Sequence, residues 1–202
     1  NNYLIMVLEQ VIKIIVSYLI GSISGSMLVG KLNGVDIRTM GSGNAGGTNA
    51  FRTQGALFAL SVIIIDIAKG YIATFYISGD FGQGAPLGIF CGVASVLGHV
   101  YPIYYNFKGG KGAGTLVGVL IGLYPLGLVI AFSIWVCILI ITGYVGLSTI
   151  IAGISFPVVI FFNNYMGGLN STIGNFGIIM ALFLIFTHRS NLSRMIAGTE
   201  NR

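Results

Sequence analysis

Charge is what this chain has least of. Only 7% of its 202 residues are Asp, Glu, Lys or Arg, against about a quarter in an ordinary soluble domain. Ten Lys and Arg, five Asp and Glu and two His are too few to cover a soluble surface, and 55% of the residues are hydrophobic. That excludes a soluble enzyme, a disordered chain and a nucleic-acid-binding domain, and leaves an integral membrane protein. The two cysteines, Cys91 and Cys137, both stand in apolar runs. They read as small core hydrophobes, without a disulfide framework. Two thiols and two histidines spread over separate helices lack metal-ligand spacing, so no metal and no cofactor is expected. No charged start, short apolar stretch and cleavage site precede the first apolar run, so no cleaved signal peptide is expected. Alternating strands are also missing: Leu128 to Ile141 is apolar on every face, which disfavours a β-barrel.

What is abundant is apolar helix and glycine. A bilayer core of roughly 30 Å needs about 20 apolar helical residues. Seven candidate segments satisfy or approach this: Leu4 to Val29, Ala56 to Ser78, Leu87 to Tyr105, Ala113 to Tyr124, Pro125 to Thr142, Val145 to Phe162 and Ile173 to Thr187. The expected fold is an all-α bundle of about seven transmembrane helices, one membrane domain over 1–202. Lys31, Arg38 and Arg52, then Lys108 and Lys111, then Arg189, Arg194 and Arg202 fall in alternate connections, whereas the other connections hold Asp80 and no Lys or Arg. The positive-inside rule then places the N-terminus outside and the C-terminus in the cytoplasm. The fourth segment is informative because it is short: its twelve residues rise only about 18 Å as a helix. One of its ends is therefore sunk below the membrane surface, where polar backbone is tolerated only within protein or beside water.

The polar residues concentrate in three stretches on the cytoplasmic side. The first runs Gly41-Ser42-Gly43-Asn44-Ala45-Gly46-Gly47-Thr48-Asn49-Ala50-Phe51-Arg52. Its glycines allow backbone N–H groups to converge on an anion, its hydroxyls and amides add neutral donors, and Arg52 adds a planar fork for phosphate. The second comprises Gly98 to Pro102 and then Phe107-Lys108-Gly109-Gly110-Lys111-Gly112-Ala113-Gly114-Thr115. Two lysines among glycines at a helix start make a site for a dianion. The Walker A spacing is absent, so nucleotide hydrolysis is not indicated. The third is Thr187-His188-Arg189-Ser190-Asn191-Leu192-Ser193-Arg194, ending near Glu200. His188, beside Arg189 and Asn191, reads as a substrate contact, and His99 as structural. Asp66 and Lys69 sit within the second segment at i, i+3, where each unpaired charge would cost roughly 2.5–3.5 kcal/mol at the bilayer centre. They are expected to pair and lock helices around the site. Glu9 and Lys13 form an ordinary pair one turn apart. Asn170-Ser171-Thr172 matches a glycosylation sequon, relevant only in a secretory route.

Together the three stretches resemble the acyl-phosphate:glycerol-3-phosphate acyltransferases, the PlsY family of bacterial membranes. Its patterns run roughly G-S-G-N-x-G-x-T-N-x-x-R, then G-H-x-x-P with F-K-G-G-K-G, then H-R-x-N-[IL]-x-R ahead of G-x-E. Here they are Gly41 to Arg52, Gly98 to Pro102 with Phe107 to Gly112, and His188 to Arg194 with Gly198 and Glu200. The match spans nearly the whole chain, in order. Departures are Gly47 where alanine is common, Ala113-Gly114 for Val-Ala, Ser190 for a frequent Glu, and Gly146 for an expected serine, with Ser148 and Thr149 as the nearby hydroxyls. The resemblance implies transfer of a fatty acyl group from acyl phosphate to the sn-1 hydroxyl of glycerol-3-phosphate, in a bacterial plasma membrane, with the site facing the cytoplasm. Products are lysophosphatidic acid and inorganic phosphate. Its expected catalytic residues are Ser42, Arg52, Lys111, His188 and Asn191. Its expected substrate-binding residues are Gly43, Asn44, Gly46, Thr48, Asn49, Lys108, Gly109, Gly110 and Gly112. Neither His99 nor His188 is followed by Asp five residues on, and no Ser-His-Asp set is present. That points to direct, substrate-assisted transfer. A seven-helix anion transporter would also suit a basic pocket, but the polar loops lie on one face and no inverted repeat is visible.

Overall fold

The computed structural model of the chain describes residues 2–81, 85–165 and 171–202. Asn170 of the sequon lies outside the described residues. Among these there are ten α-helices and no β-strand: α1 (Asn2–Gly21), α2 (Gly25–Leu32), α3 (Gly47–Gln54), α4 (Ala56–Tyr71), α5 (Pro86–Val100), α6 (Ala113–Leu123), α7 (Pro125–Thr142), α8 (Val145–Tyr165), α9 (Ser171–Thr187) and α10 (Arg189–Ile196). Five described helical stretches are long and apolar enough to cross a membrane, and six if α9 and α10, bent by 52°, count as one. α6 is apolar but shorter, in keeping with the short fourth segment. Large apolar side chains such as Leu4, Ile12, Ile64 and Phe161 are exposed, as a lipid-facing surface requires. Cys91 is buried as expected, but Cys137 is exposed on α7.

The chain divides into two compact units, Asn1–Leu123 and Tyr124–Arg202. In the first, helices approach closely over glycines. A Cβ on Gly21 of α1 would collide with the Ser95 backbone of α5, and one on Gly98 with the Tyr18 carbonyl. α4 and α6 meet the same way, at Gly70 against the Thr115 carbonyl and Gly118 against that of Ile67. Such contacts between small residues are the usual means by which membrane helices associate. α4 runs on from Tyr71 through a π-type turn, Ile72–Ile77. A small cluster of Val29, Ile37, Ala50, Phe58, Ala59 and Val62 seats the first glycine loop and α3 on the neck of α2 and α4.

The first segment is not one span from Leu4 to Val29. α1 stops at Gly21, and α2 restarts at Gly25 behind an N-cap, Ser24, whose Oγ accepts from the Met27 N–H at 3.4 Å. Apolarity alone would carry the helix through. The break is held by distant charges: Lys69 Nζ donates to the Ile23 carbonyl at 2.8 Å, and the Gly25 N–H donates to Asp66 Oδ1 at 3.2 Å. Backbone groups released by a break in an apolar environment need such partners.

In the second unit, α8 packs against both α7 and α9, and α10 follows α9 across the bend at His188. α7 ends at Gly143, whose φ of +75° gives the left-handed C-cap that L-residues avoid. α8 carries Pro157 inside the helix.

Candidate active site

The first glycine loop is built around Asn49. This side chain is buried, with its oxygen and both N–H groups engaged by backbone. Its Oδ1 accepts from the Ser42 N–H at 2.9 Å, and its Nδ2 donates to the Ile37 and Met40 carbonyls at 3.2 and 3.0 Å. Gly41, at φ +54°, lies so close that a Cβ would collide with Asn49 Oδ1. The N–H groups of Gly43 and Gly46 donate within the loop, to Met40 O and Asn44 O. The expected nest of glycine N–H groups is therefore narrower than composition implies. What the stretch offers an anion is the exposed hydroxyls of Ser42 and Thr48, the half-buried Asn44 amide, the exposed Arg52 and the first turn of α3, which has no side-chain cap. Arg38 belongs to the scaffold. It holds Asp36 through Nε and Nη2 at 3.1 and 2.9 Å, and these bonds keep the Asp36 carboxyl below the usual carboxylate range.

The second loop folds back along the end of α5. Asn106 and Phe107 take left-handed conformations, φ +54° and +58°, and reverse the chain. The Gly109 and Gly110 N–H groups then donate to the Val100 and His99 carbonyls at 3.2 and 3.1 Å. Gly112, at φ +90°, turns the chain into α6. Lys108 is exposed and Lys111 half-buried at that helix start. The two glycine loops meet at one residue: a Cβ on Gly110 would stand 2.9 Å from the Ala45 carbonyl oxygen and collide with His99 Nε2. The site of the first unit is thus two cationic, glycine-lined loops brought into contact.

Beneath them lies a buried polar cluster. Asp66 and Lys69 pair as the i, i+3 spacing predicted, at 3.0 Å, and both are at most 4% exposed. His99 is a third member that spacing did not indicate. Its Nδ1 lies 2.8 Å from Lys69 Nζ and 3.4 Å from Asp66 Oδ1.

The third stretch lies in the second unit. His188 Nδ1 lies 2.9 Å from the Leu184 carbonyl, to which it donates. Nδ1 therefore carries a proton. His188 and Asn191 are both buried. Asn191 Nδ2 donates to Glu200 Oε1 at 2.6 Å, and Arg194 Nε to Glu200 Oε2 at 2.6 Å. Glu200, at the edge of the motif and absent from the expected site, is the clamp that orients Asn191. Gly146 faces this clamp: a Cβ there would come within 2.9 Å of Asn191 Cβ, Cγ and Nδ2. Where a serine was expected, this chain accommodates Asn191. Ser148 is wholly buried and donates to the Tyr144 carbonyl at 2.8 Å, while Thr149 accepts from Trp135 Nε1 at 3.2 Å.

Comparison with known proteins agrees with this inventory of anion-binding chemistry. The family model described as glycerol-3-phosphate acyltransferase matches residues 11–198. The chain is 42% identical to the glycerol-3-phosphate acyltransferase of Chlorobaculum tepidum, covering 94% of each chain. To that of Chlorobium luteolum it is 41% identical, covering 93% of each. Its fold matches the crystal structure of PlsY (YgiH), an integral membrane glycerol 3-phosphate acyltransferase, in its glycerol 3-phosphate form. The TM-score is 0.88 at 36% identity, over 96% of this chain and 94% of that one. The lysophosphatidic acid form of that protein matches with a TM-score of 0.86 at 35% identity, over the same shares. The chain belongs to the glycerol-3-phosphate acyltransferase family, and is an integral membrane acyltransferase of phospholipid synthesis.

Proposed function

We propose that the protein moves a fatty acyl group from acyl phosphate to the sn-1 hydroxyl of glycerol-3-phosphate, without a covalent acyl-enzyme. The observation that carries this reading is the contact between two cationic glycine loops at Gly110 and Ala45. Two substrates that each bear a phosphate need two adjacent anion sites, and the two loops of the first unit are the candidates for them. Acyl phosphate is already an activated mixed anhydride. The glycerol oxygen attacks the acyl carbon, the bond from that carbon to the phosphate oxygen breaks, and the departing phosphate takes the hydroxyl proton. The protein then has only to position and to stabilise charge, which for well-oriented reactants removes about 7–11 kcal/mol of barrier.

Ser42, Thr48 and Asn44, with Gly43 and Gly46 shaping the loop, are assigned to the acyl-phosphate head. Asn49 acts by holding that loop. Arg52 and Lys111 are assigned to glycerol-3-phosphate, with Gly109, Gly110 and Gly112 letting the backbone approach and Lys108 adding to the field. His188 and Asn191, in the third motif, are assigned to the same substrate. In this reading seven spans cross a bacterial plasma membrane, the N-terminus is outside, and the C-terminus and all three stretches face the cytoplasm. The positive-inside distribution of Lys and Arg supports that orientation.

The test uses purified protein in detergent with palmitoyl phosphate and glycerol-3-phosphate, following phosphate release, and palmitoyl-coenzyme A in parallel. Release that depends on both substrates is expected. Arg52→Ala should raise the KM for glycerol-3-phosphate by about tenfold or more, the worth of a charge-assisted pair. Turnover with the thioester alone would discard the donor assignment, and unchanged kinetics in Arg52→Ala would discard the role of Arg52.

A further inference from the structure

We propose that His99 is a positioning residue for glycerol-3-phosphate, held by Lys69 and Asp66 and acting through the lysine loop; this rests on the substrate assignment above. The Lys69 ammonium has three protons and no acceptor. Three acceptors surround it: the Ile23 carbonyl at 2.8 Å, Asp66 Oδ1 at 3.0 Å and His99 Nδ1 at 2.8 Å. With Nδ1 accepting, the imidazole carries its proton on Nε2. The ring therefore cannot rotate or exchange tautomers without leaving a lysine proton unpaired in an apolar interior. Its Nε2 edge is the surface against which Gly110 lies, and its own carbonyl accepts the Gly110 N–H at 3.1 Å. Gly110 stands directly before Lys111. Side chain and backbone of one buried residue thus fix the loop on two sides.

The same lysine caps the break between α1 and α2. The helix break, the buried charges and the lysine loop are in this way one connected device, and His99 is its contact with the substrate side. A residue needed only to fill the interior would affect folding without favouring one substrate. A residue that aims the lysine loop affects the substrate that loop binds.

The decisive variant is His99→Asn. Its amide reaches the place of Nδ1 and gives Lys69 an acceptor, but leaves space beside Gly110. In purified protein the KM for glycerol-3-phosphate should rise about tenfold or more. The KM for acyl phosphate should stay within about twofold, and the melting temperature within a few degrees. An unmoved KM for glycerol-3-phosphate, or an equal rise for both substrates, overturns the proposal. Should the asparagine variant not fold, His99→Gln, whose longer amide reaches the place of Nε2 beside Gly110, should keep the KM for glycerol-3-phosphate within about threefold, and a tenfold rise in it overturns the proposal. Absence of acyl transfer in the unaltered protein would instead overturn the reading of its function.

Discussion

The meeting of the two loops makes a strong demand on Gly110, and its replacement by alanine tests it. The added Cβ would stand 2.9 Å from the Ala45 carbonyl oxygen and overlap the His99 ring edge. Ordinary contact needs about 3.5 Å, so the first loop must retreat by about half an ångström and the imidazole by more. The ring is not loose, since Lys69, itself paired with Asp66, holds it from behind. Overpacking of this kind costs about 1–3 kcal/mol. A displacement near 1 Å between reacting groups costs about a hundredfold in rate. Gly110→Ala is therefore expected to lower kcat/KM for glycerol-3-phosphate by about 10- to 100-fold, and to melt a few degrees lower. The paired control is Gly114→Ala, one turn further on. There the nearest atom, Asp66 Cβ, is 3.5 Å away, and the residue is the second of α6. The contact is an ordinary one and alanine favours a helix over glycine, so this variant should keep full activity and melt no lower. Phosphate release with titrated glycerol-3-phosphate, together with thermal unfolding in the same detergent, reads both. Wild-type kinetics in Gly110→Ala, or equal damage in Gly114→Ala, would refute the contact between the loops.

Three further outcomes follow from the same geometry. Gly146→Ser should lower activity, because its Cβ displaces Asn191 from the Glu200 clamp; a gain in kcat would show that the hydroxyl alone was missing. Asn49→Ala removes three hydrogen bonds from the first loop, about 3 kcal/mol in total; unfolding should shift accordingly, and a stable variant with normal kinetics would refute its scaffold role. The Asp36 carboxyl is held below its ordinary range by Arg38, so its contribution to stability is complete above about pH 3.9 and lost as pH falls through the lower folded value. The difference in melting temperature between the unaltered protein and Asp36→Asn should be flat from about pH 5 to 8 and shrink only in stronger acid; a difference that grows on acidification would contradict the pair.

The fold class and the glycine loops were legible in the sequence because lipid imposes local requirements: long apolar runs, and polar residues gathered where chemistry needs them. The break between α1 and α2 was not legible, because its cause is remote. Ile23, Met27 and Val29 continue the apolar pattern, and only Lys69 and Asp66, more than forty residues on, make the interruption tolerable. Gly146 misled for a related reason. Against a pattern it is a missing serine, whereas in the fold it is the space that Asn191 needs. Composition also could not separate the residues that bind from those that hold. Asn44 and Asn49 stand five apart in one polar stretch with the same side chain. Asn49 lies buried with both donors and its acceptor engaged, while Asn44 remains at the surface of the loop. A chain with so few polar side chains divides them by burial and partner. An amide whose donors and acceptor oxygen are engaged inside the protein is framework, and the substrate must be held by groups that remain at the loop surface.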